Sequence, residues 1–427
     1  MIEPRMVEPL GRLRGVIHVP GDKSASHRAL MISALADGES TIVGLSPGLD
    51  VVATAVIMGQ LGATRSSDGD VVTVVGPSNG LRPSDTALDC VNSGTTMRLV
   101  AGIASAVAGR HRLVGDQSLS RRPMDRVARP LALMGSVVSG QGEKCTAPLS
   151  IDGRSALRAI EYHVPNPSAQ VKSAVLFAAL RADGHSVVIE DVRTRSTTEE
   201  MLRHAGVTVN SVESADGRTV NLTPGRPSTM TWRIPGDPSQ GAFFAVLGAI
   251  HRDAEVDVLS LDDSPERIGY VGVLRRMGAR ISLERADHAA TLRSRSSDLV
   301  ATEVFAAEIP SLDEVPILAV AAAAATGISA FRDMSELRIK ESDRLAGSMQ
   351  LVAALGCRTW CERDDFFVEG LGTAGNFQAF SLAVGLDHRM VMSSAVAAVA
   401  GRGGAVLGAE TVASSYPHFF DDLASLA

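Results

Sequence analysis

Five times along this chain the apolar end of a helix-like run is followed by glycine, then by a small or β-branched residue, then by a strand-like run. The sets are Gln60-Leu61-Gly62-Ala63, Leu133-Met134-Gly135-Ser136, His204-Ala205-Gly206-Val207, Arg276-Met277-Gly278-Ala279 and Ala354-Leu355-Gly356-Cys357. The glycines stand 73, 71, 72 and 78 residues apart. Glycine just past a last helical turn supplies the left-handed backbone that closes a helix. The period makes this a repeat protein, in which a unit buries its apolar face only against its neighbours. A sixth glycine would fall past residue 427. The last helix, 417–426, therefore lacks a following strand, and the N-terminal strand near 15–19 is expected to supply it.

A second series interleaves with the first. Polar residues open an Ala-rich helix at Ser24-Ala25-Ser26, Asn92-Ser93-Gly94, Ser168-Ala169-Gln170, Asp237-Pro238-Ser239, Leu312-Asp313-Glu314 and Asp387-His388-Arg389. Stretches such as 315–325 and 391–400 are almost wholly apolar. A helix apolar all round is buried. The chain thus reads as six units, each with one internal and one outer helix and several strands. With 427 residues it exceeds one ordinary core, so three units per domain are expected. Pro235-Gly236 and Pro238 mark a linker at the midpoint, and Pro20-Gly21 the matching crossing. The expected domains are a continuous one, 21–235, and a discontinuous one, 1–20 plus 236–427, closed by the N-terminal strand. Facing domains of this kind would bring six helix starts to one cleft, and the two crossings suit closure around a ligand.

Those starts offer chemistry. In Pro20-Gly21-Asp22-Lys23-Ser24-Ala25-Ser26-His27-Arg28, two cations and two hydroxyls stand at the opening of an apolar helix. Free N–H groups and the positive dipole end are already there, so the stretch suits a phosphate or carboxylate. Taken alone it fits a capped helix with solvated charges equally well. The earlier glycine of a P-loop is absent at the required spacing. The net charge of −7 argues against a broad nucleic-acid surface. Cys90, Cys145, Cys357 and Cys361 have neither zinc-finger spacing nor nearby histidine ligands, and read as reduced thiols. The first ten residues lack a signal-peptide pattern, and the longest apolar run, 317–325, is too short to span a bilayer. A soluble, cytoplasmic protein is expected.

Six stretches carry a resemblance over the whole chain. They are Gly21-Asp22-Lys23-Ser24-Ala25-Ser26-His27-Arg28-Ala29-Leu30, Asn92-Ser93-Gly94-Thr95-Thr96-Met97-Arg98-Leu99, Arg122-Pro123-Met124, Ser168-Ala169-Gln170-Val171-Lys172-Ser173-Ala174, Leu337-Arg338-Ile339-Lys340-Glu341-Ser342-Asp343-Arg344 and Asp387-His388-Arg389-Met390. Together, in this order, they resemble the enolpyruvyl transferase family, in its branch acting on shikimate 3-phosphate. The resemblance implies an α/β fold of two inside-out, barrel-like domains, each of three repeats with buried helices and with the ligand cleft between them. It implies transfer of the enolpyruvyl group of phosphoenolpyruvate to the 5-hydroxyl of shikimate 3-phosphate, with release of phosphate and no metal or organic cofactor. These small anionic substrates are the expected partners; neither nucleic acid nor membrane is, and a monomer is expected.

By the same resemblance Lys23, Gly94, Arg122, Gln170, Arg344 and Arg389 hold phosphoenolpyruvate. Ser24, Arg28, Ser168, Ala169, Gln170, Arg195, Asp313 and Lys340 hold shikimate 3-phosphate. Asp313 is implied as the base for the hydroxyl, and Glu341, with Lys23, as the proton shuttle to the methylene carbon. On spacing alone Asp313 equally suits a helix N-cap, and Glu341 an exposed helix acid. On one helix Lys340 and Arg344 would repel while Glu336 offset Lys340. His27 reads as packing and His388 as structural. Gly94 leaves room beside phosphoenolpyruvate, which implies sensitivity to glyphosate, a competitor for that site.

Two departures stand out. Ser196-Thr197 occupies the place of Asp-His in many relatives, and Ser414-Ser415-Tyr416-Pro417 lacks a lysine that many carry there. Either fits a paralogue acting on another cyclic acceptor. The sister enzyme acting on UDP-N-acetylglucosamine has Lys-Asn where this chain has Lys23-Ser24, and a cysteine in the loop that is Asp116-Gln117-Ser118-Leu119-Ser120-Arg121 here. A non-catalytic relative would be expected to have lost Asp313 or Glu341.

Overall fold

All five glycines close helices as the period requires. Gly62, Gly135, Gly206, Gly278 and Gly356 have φ between 81° and 110°. Each has the same pair of closing bonds, as in Gly135 N to Ala132 O at 3.0 Å and Ser136 N to Leu131 O at 3.1 Å. This is the Schellman closure, and it points the chain back into a strand.

The computed structural model describes residues 3–214, 217–286, 289–309, 311–383 and 387–427. The chain divides into two units, Lys23–Ile234 and the combined segments Met1–Asp22 and Pro235–Ala427. In the continuous unit the helices are α1 (Lys23–Leu35), α2 (Leu49–Gln60), α3 (Gly94–Ser105), α4 (Asp125–Leu133), α5 (Ala169–Ala179) and α6 (Thr197–His204). In the discontinuous unit they are α7 (Pro238–Ile250), α8 (Gly269–Arg276), α9 (Val315–Ala324), α10 (Arg344–Ala354), α11 (His388–Ala400) and α12 (Phe419–Ala424). Odd-numbered helices are the internal ones: every residue of α7, α9 and α11 is buried. Even-numbered helices bury one face only, as in α4, where Val127, Ala128, Pro130 and Leu131 are buried.

Small residues permit this packing. A Cβ on Gly102 of α3 would lie 2.2 Å from the carbonyl oxygen of Ala174 on α5, so only glycine lets these helices approach so closely. In the discontinuous unit α7, α9 and α11 pack on one another.

Around the helices lie six separate sheets among the described residues, five of four strands and one of three. They do not join into one closed barrel. The first sheet of the continuous unit runs 231–233, 38–43, 71–76, 64–68. Its parallel edge, Thr231 opposite Thr41, comes from the unit's other end, so the unit closes on itself. The N-terminus departs from expectation. The strand Arg5–Val7 pairs antiparallel with Gly404–Leu407 and completes the last sheet. The strand Leu13–Ile17 instead runs parallel to Ala254–Leu261 in the fourth sheet. The strand Leu13–Ile17 is already committed to Ala254–Leu261 as an edge of the fourth sheet, which leaves the edge of the last sheet to Arg5–Val7. At the base of this unit the two crossing segments bond to each other, Asp22 N to Pro235 O at 2.7 Å and Asp237 N to Pro20 O at 2.9 Å.

The glycine closures give a stability test. Gly135 has φ 94° and nothing within 4 Å of a built Cβ, so Gly135→Ala isolates the conformational cost, about 1–2 kcal/mol. Gly272, inside α8 and equally uncrowded, should respond oppositely, with Gly272→Ala gaining about 0.5–1 kcal/mol. Urea unfolding of both variants checks the signs.

Candidate active site

In the continuous unit the starts of α1, α3 and α5 carry the charged motifs. Lys23 donates from Nζ to Asp50 Oδ2 at 3.1 Å, with both side chains largely buried. Asp50 lies in the first turn of α2, outside every motif, so no sequence pattern pointed to it. Arg28 is buried. It donates to the Ser24 carbonyl at 2.8 Å, to Thr198 Oγ1 at 2.5 Å and to Ser173 Oγ at 2.9 Å. These bonds tie α1 to α5 and α6, so Arg28 braces this edge of the site.

Ser93 caps α3, accepting from Thr96 N at 3.0 Å, and Ser168 caps α5, accepting from Val171 N at 3.3 Å. Ser24, Ala169 and Gln170 are half-buried beside them. Gln170 is fixed at both ends: Arg98 Nη1 donates to its Oε1 at 2.5 Å, and its Nε2 donates to Thr95 Oγ1 at 2.9 Å. Arg122 is buried and donates to Asn92 Oδ1 at 3.1 Å, while Asn92 Nδ2 donates to Asp116 Oδ2 at 2.6 Å. A Cβ on Gly94 would lie 2.9 Å from Nη1 of both Arg122 and Arg98. Arg98 is thus a further cation of this group. Its place in the α3 motif was visible in the sequence, but its direction was not.

Arg195 is half-buried on the loop between strand Ser186–Glu190 and α6. That loop is anchored by Lys172, which reaches Glu190 Oε2 and Glu199 Oε1 at 2.7 Å each in full burial. Burial raises the Glu199 carboxyl above its usual range despite Lys172. Ser196 does not replace the missing acid: its hydroxyl donates to Glu200 at 2.5 Å. Ser414 likewise turns inward, onto the Thr411 carbonyl at 2.8 Å.

In the discontinuous unit Arg344 is the hub. Its Nε and Nη2 donate to the two oxygens of Asp387 at 2.9 and 3.3 Å, its Nη1 to Asp313 Oδ1 at 2.9 Å, and its Nη2 lies 2.6 Å from Glu341 Oε2. Asp387 also caps α11, accepting from Arg389 N at 3.0 Å, and accepts from Ser342 Oγ at 2.8 Å. Burial alone would raise the Asp387 carboxyl, but Arg344 holds it below the usual range. Arg389 donates to the Ser239 carbonyl at 3.1 Å and lies 3.7 Å from Asp313 Oδ2. Lys340 donates to the Ser311 carbonyl at 3.0 Å. Burial lowers the Lys340 ammonium, against the pull of Asp313.

Three local expectations are corrected. Asp313 is not an N-cap, because Glu314 holds that position and makes no side-chain cap bond; the Asp313 carboxylate faces two guanidinium groups instead. Glu341 is not an exposed helix acid, with 18% of its side chain exposed and an ion pair to Arg344. Glu336, Lys340 and Arg344 do not share a helix, because Ser335–Ile339 is a separate 3-10 turn and α10 begins at Arg344. His388 opens α11 and is buried. The four cysteines are free thiols.

These two clusters sit on a fold shared with solved structures. A solved structure of EPSP synthase from Acinetobacter baumannii matches with a TM-score of 0.87 at 34% identity, covering 100% of this chain and 98% of that one. The enolpyruvyl transferase NikO from Streptomyces tendae, at 18% identity, shares the fold with a TM-score of 0.80 over 100% of this chain and 98% of its own. A family model described as EPSP synthase (3-phosphoshikimate 1-carboxyvinyltransferase) matches residues 7–423. Curated proteins named 3-phosphoshikimate 1-carboxyvinyltransferase match at 41% identity in Streptococcus equi subsp. equi, over 97% of both chains. One in a Synechococcus species matches at 42%, over 97% of this chain and 96% of its own. The fold places the chain among the enolpyruvyl transferases. More narrowly, it belongs to the EPSP synthase family.

His27 gives this site a pH signature. It is buried, its Nδ1 is 2.7 Å from Thr54 Oγ1, and burial, with Lys23 and Arg28 nearby, lowers its pKa well below the ordinary value. Below the unfolded-state pKa of about 6.5 the unfolded chain binds a proton that the folded chain refuses. Stability contributed by neutral His27 is therefore lost as pH falls below that value, by at most about 1.4 kcal/mol per pH unit. Thermal unfolding between pH 7 and pH 5 should show a shallower acid slope in His27→Asn than in the parent.

Proposed function

We propose that the chain transfers the enolpyruvyl group of phosphoenolpyruvate to the 5-hydroxyl of shikimate 3-phosphate, releasing phosphate, as the names of its curated relatives indicate. The observation that carries this reading at the level of chemistry is Arg344, with Asp313 on one N–H group and Glu341 on another. An alcohol adding to an enol double bond needs a base at the hydroxyl and an acid at the methylene carbon. Here two carboxylates are held apart on a single guanidinium.

In this reading Asp313 takes the 5-hydroxyl proton as the oxygen bonds to C2 of phosphoenolpyruvate. Glu341, with Lys23, delivers a proton to the methylene carbon. Loss of a proton from the resulting methyl group and departure of phosphate restore the double bond, so the net change is group transfer plus phosphate. Lys23, Gly94, Arg122, Gln170, Arg344 and Arg389 are assigned to phosphoenolpyruvate. Ser24, Arg28, Ser168, Ala169, Gln170, Arg195, Asp313 and Lys340 are assigned to shikimate 3-phosphate. Charge-assisted bonds to such anions contribute about 1.5–3 kcal/mol each. Asp50 and Asp387 orient Lys23 and Arg344 directly, and Asp116 orients Arg122 through Asn92.

The units 23–234 and 1–22 plus 235–427 are taken as the two domains, and the enzyme as a cytoplasmic monomer acting on small anions. Among the described residues no helix is long and apolar enough to cross a membrane.

Phosphate release measured with both substrates tests the reaction. Turnover should require both, and Asp313→Asn should lower kcat by at least about a hundredfold, as expected for a lost general base. Gly94 supplies a separate test. A methyl group there would push on the tips of Arg122 and Arg98 without touching backbone. Gly94→Ala should therefore raise KM for phosphoenolpyruvate, with little change in melting temperature, and weaken inhibition by millimolar glyphosate, which should inhibit the parent.

A further inference from the structure

The turn that carries Asp313 is held from behind by buried groups that the proposed chemistry does not use. Leu312 has φ 58°, a left-handed backbone uncommon for any residue but glycine, so neighbouring contacts must hold it. Glu314 is 3% exposed and lies directly behind this turn. Its Oε2 accepts from Ser311 Oγ at 3.1 Å, and its Oε1 accepts from the hydroxyl of Ser239.

Each of those serines reaches the proposed site. Ser311 Oγ accepts from Asp313 N at 3.3 Å, and the Ser311 carbonyl accepts from Lys340 Nζ at 3.0 Å. The Ser239 carbonyl accepts from Arg389 Nη1 at 3.1 Å. Arg267, buried as well, donates from Nη2 to Ser239 Oγ at 3.3 Å and to Asp237 Oδ1 at 2.7 Å, and its Nη1 lies 2.6 Å from Asp22 Oδ2. One carboxylate therefore links the first turns of α7 and α9 and stands one residue behind three side chains of the site.

We propose that Glu314 is a positioning residue for the enolpyruvyl transfer: by binding Ser311 and Ser239 together it fixes the Leu312 turn and so the aim of the Asp313 carboxylate. The inference rests on the function proposed above. Two hydroxyl donors converge on its two oxygens, a pattern alanine cannot satisfy. Glutamine can satisfy it once the Ser311 hydroxyl rotates to accept. Misplacing a reacting group by about 1 Å costs on the order of a hundredfold in rate.

A double-mutant cycle on phosphate release tests this, using the wild type, Glu314→Ala, Asp313→Asn and the double variant, with Glu314→Gln alongside. Glu314→Ala should lower kcat at least about thirtyfold while KM for each substrate moves less than about fivefold, since placement rather than binding is lost. Glu314→Gln should recover to within about fivefold of wild type. In an Asp313→Asn background Glu314→Ala should cost little more, because it acts through Asp313. A kcat for Glu314→Ala within about threefold of wild type, or a full additive loss in the double variant, would overturn the proposal. Circular dichroism reports folding; if Glu314→Ala does not fold, Ser311→Ala goes through the same cycle with the same expectations. An inactive wild type would overturn the proposed function instead, and this inference with it.

Discussion

A helix that is apolar on every side has nothing to offer solvent but its ends. Six internal helices, three of them buried along their whole length, are the constraint on which this molecule depends. Each is sheathed by sheet and by an outer helix, and α3 lies so close to α5 that a methyl group at Gly102 would overlap the Ala174 carbonyl. The first turns are where the backbone leaves N–H groups without intrahelical partners. Selection for polar residues is therefore concentrated there: Lys23, Ser93, Ser168, Asp237, Asp313 and Asp387 all stand at or beside such a start. Burial of the helix bodies and the chemistry of the helix ends follow from the same arrangement.

The charges are balanced locally. Arg344 is enclosed by Asp387, Asp313 and Glu341, and Lys23 by Asp50. A buried guanidinium without acids would carry a prohibitive desolvation cost. With them it is fixed in direction, which favours bidentate recognition of an anion over mere attraction. Acids stand in direct contact with the cations they balance.

The period of the chain was legible because it is written in glycine: helix closure demands one residue type at one position, and Gly62 through Gly356 advertise it. The internal helices were legible because nothing polar interrupts 315–325 or 391–400. The site was legible as motifs, through resemblance, and no further. Asp50 lies in the first turn of an unremarkable outer helix, and its pairing with Lys23 depends on tertiary packing. Spacing along 336–344 suggested one helix, yet the chain breaks at Lys340, because Arg344 pairs with Asp387 and Asp313 at the start of α10 while Lys340 bonds the Ser311 carbonyl. Glu314 reads as one more acid beside Asp313; only the serines packed around it distinguish the two. The N-terminus was assigned to the right kind of role with the wrong strand, since alternation along 13–19 does not say which sheet edge is open.

The same N-terminus bears on how the protein is made. Residues 5–7 pair with 404–407, and residues 13–17 with 254–261. This segment therefore has no strand partner until synthesis has passed residue 254, and its pairing is complete only once 404–407 have followed. The stretch 23–234 meanwhile holds the partners of its own described strands, with its two terminal strands side by side, which is the condition for a domain to fold as a unit during synthesis. Its folding shortens the loop that must later be closed, and with it the entropy cost of joining segments hundreds of residues apart. The continuous unit is in this sense an insertion that assists the assembly of its host.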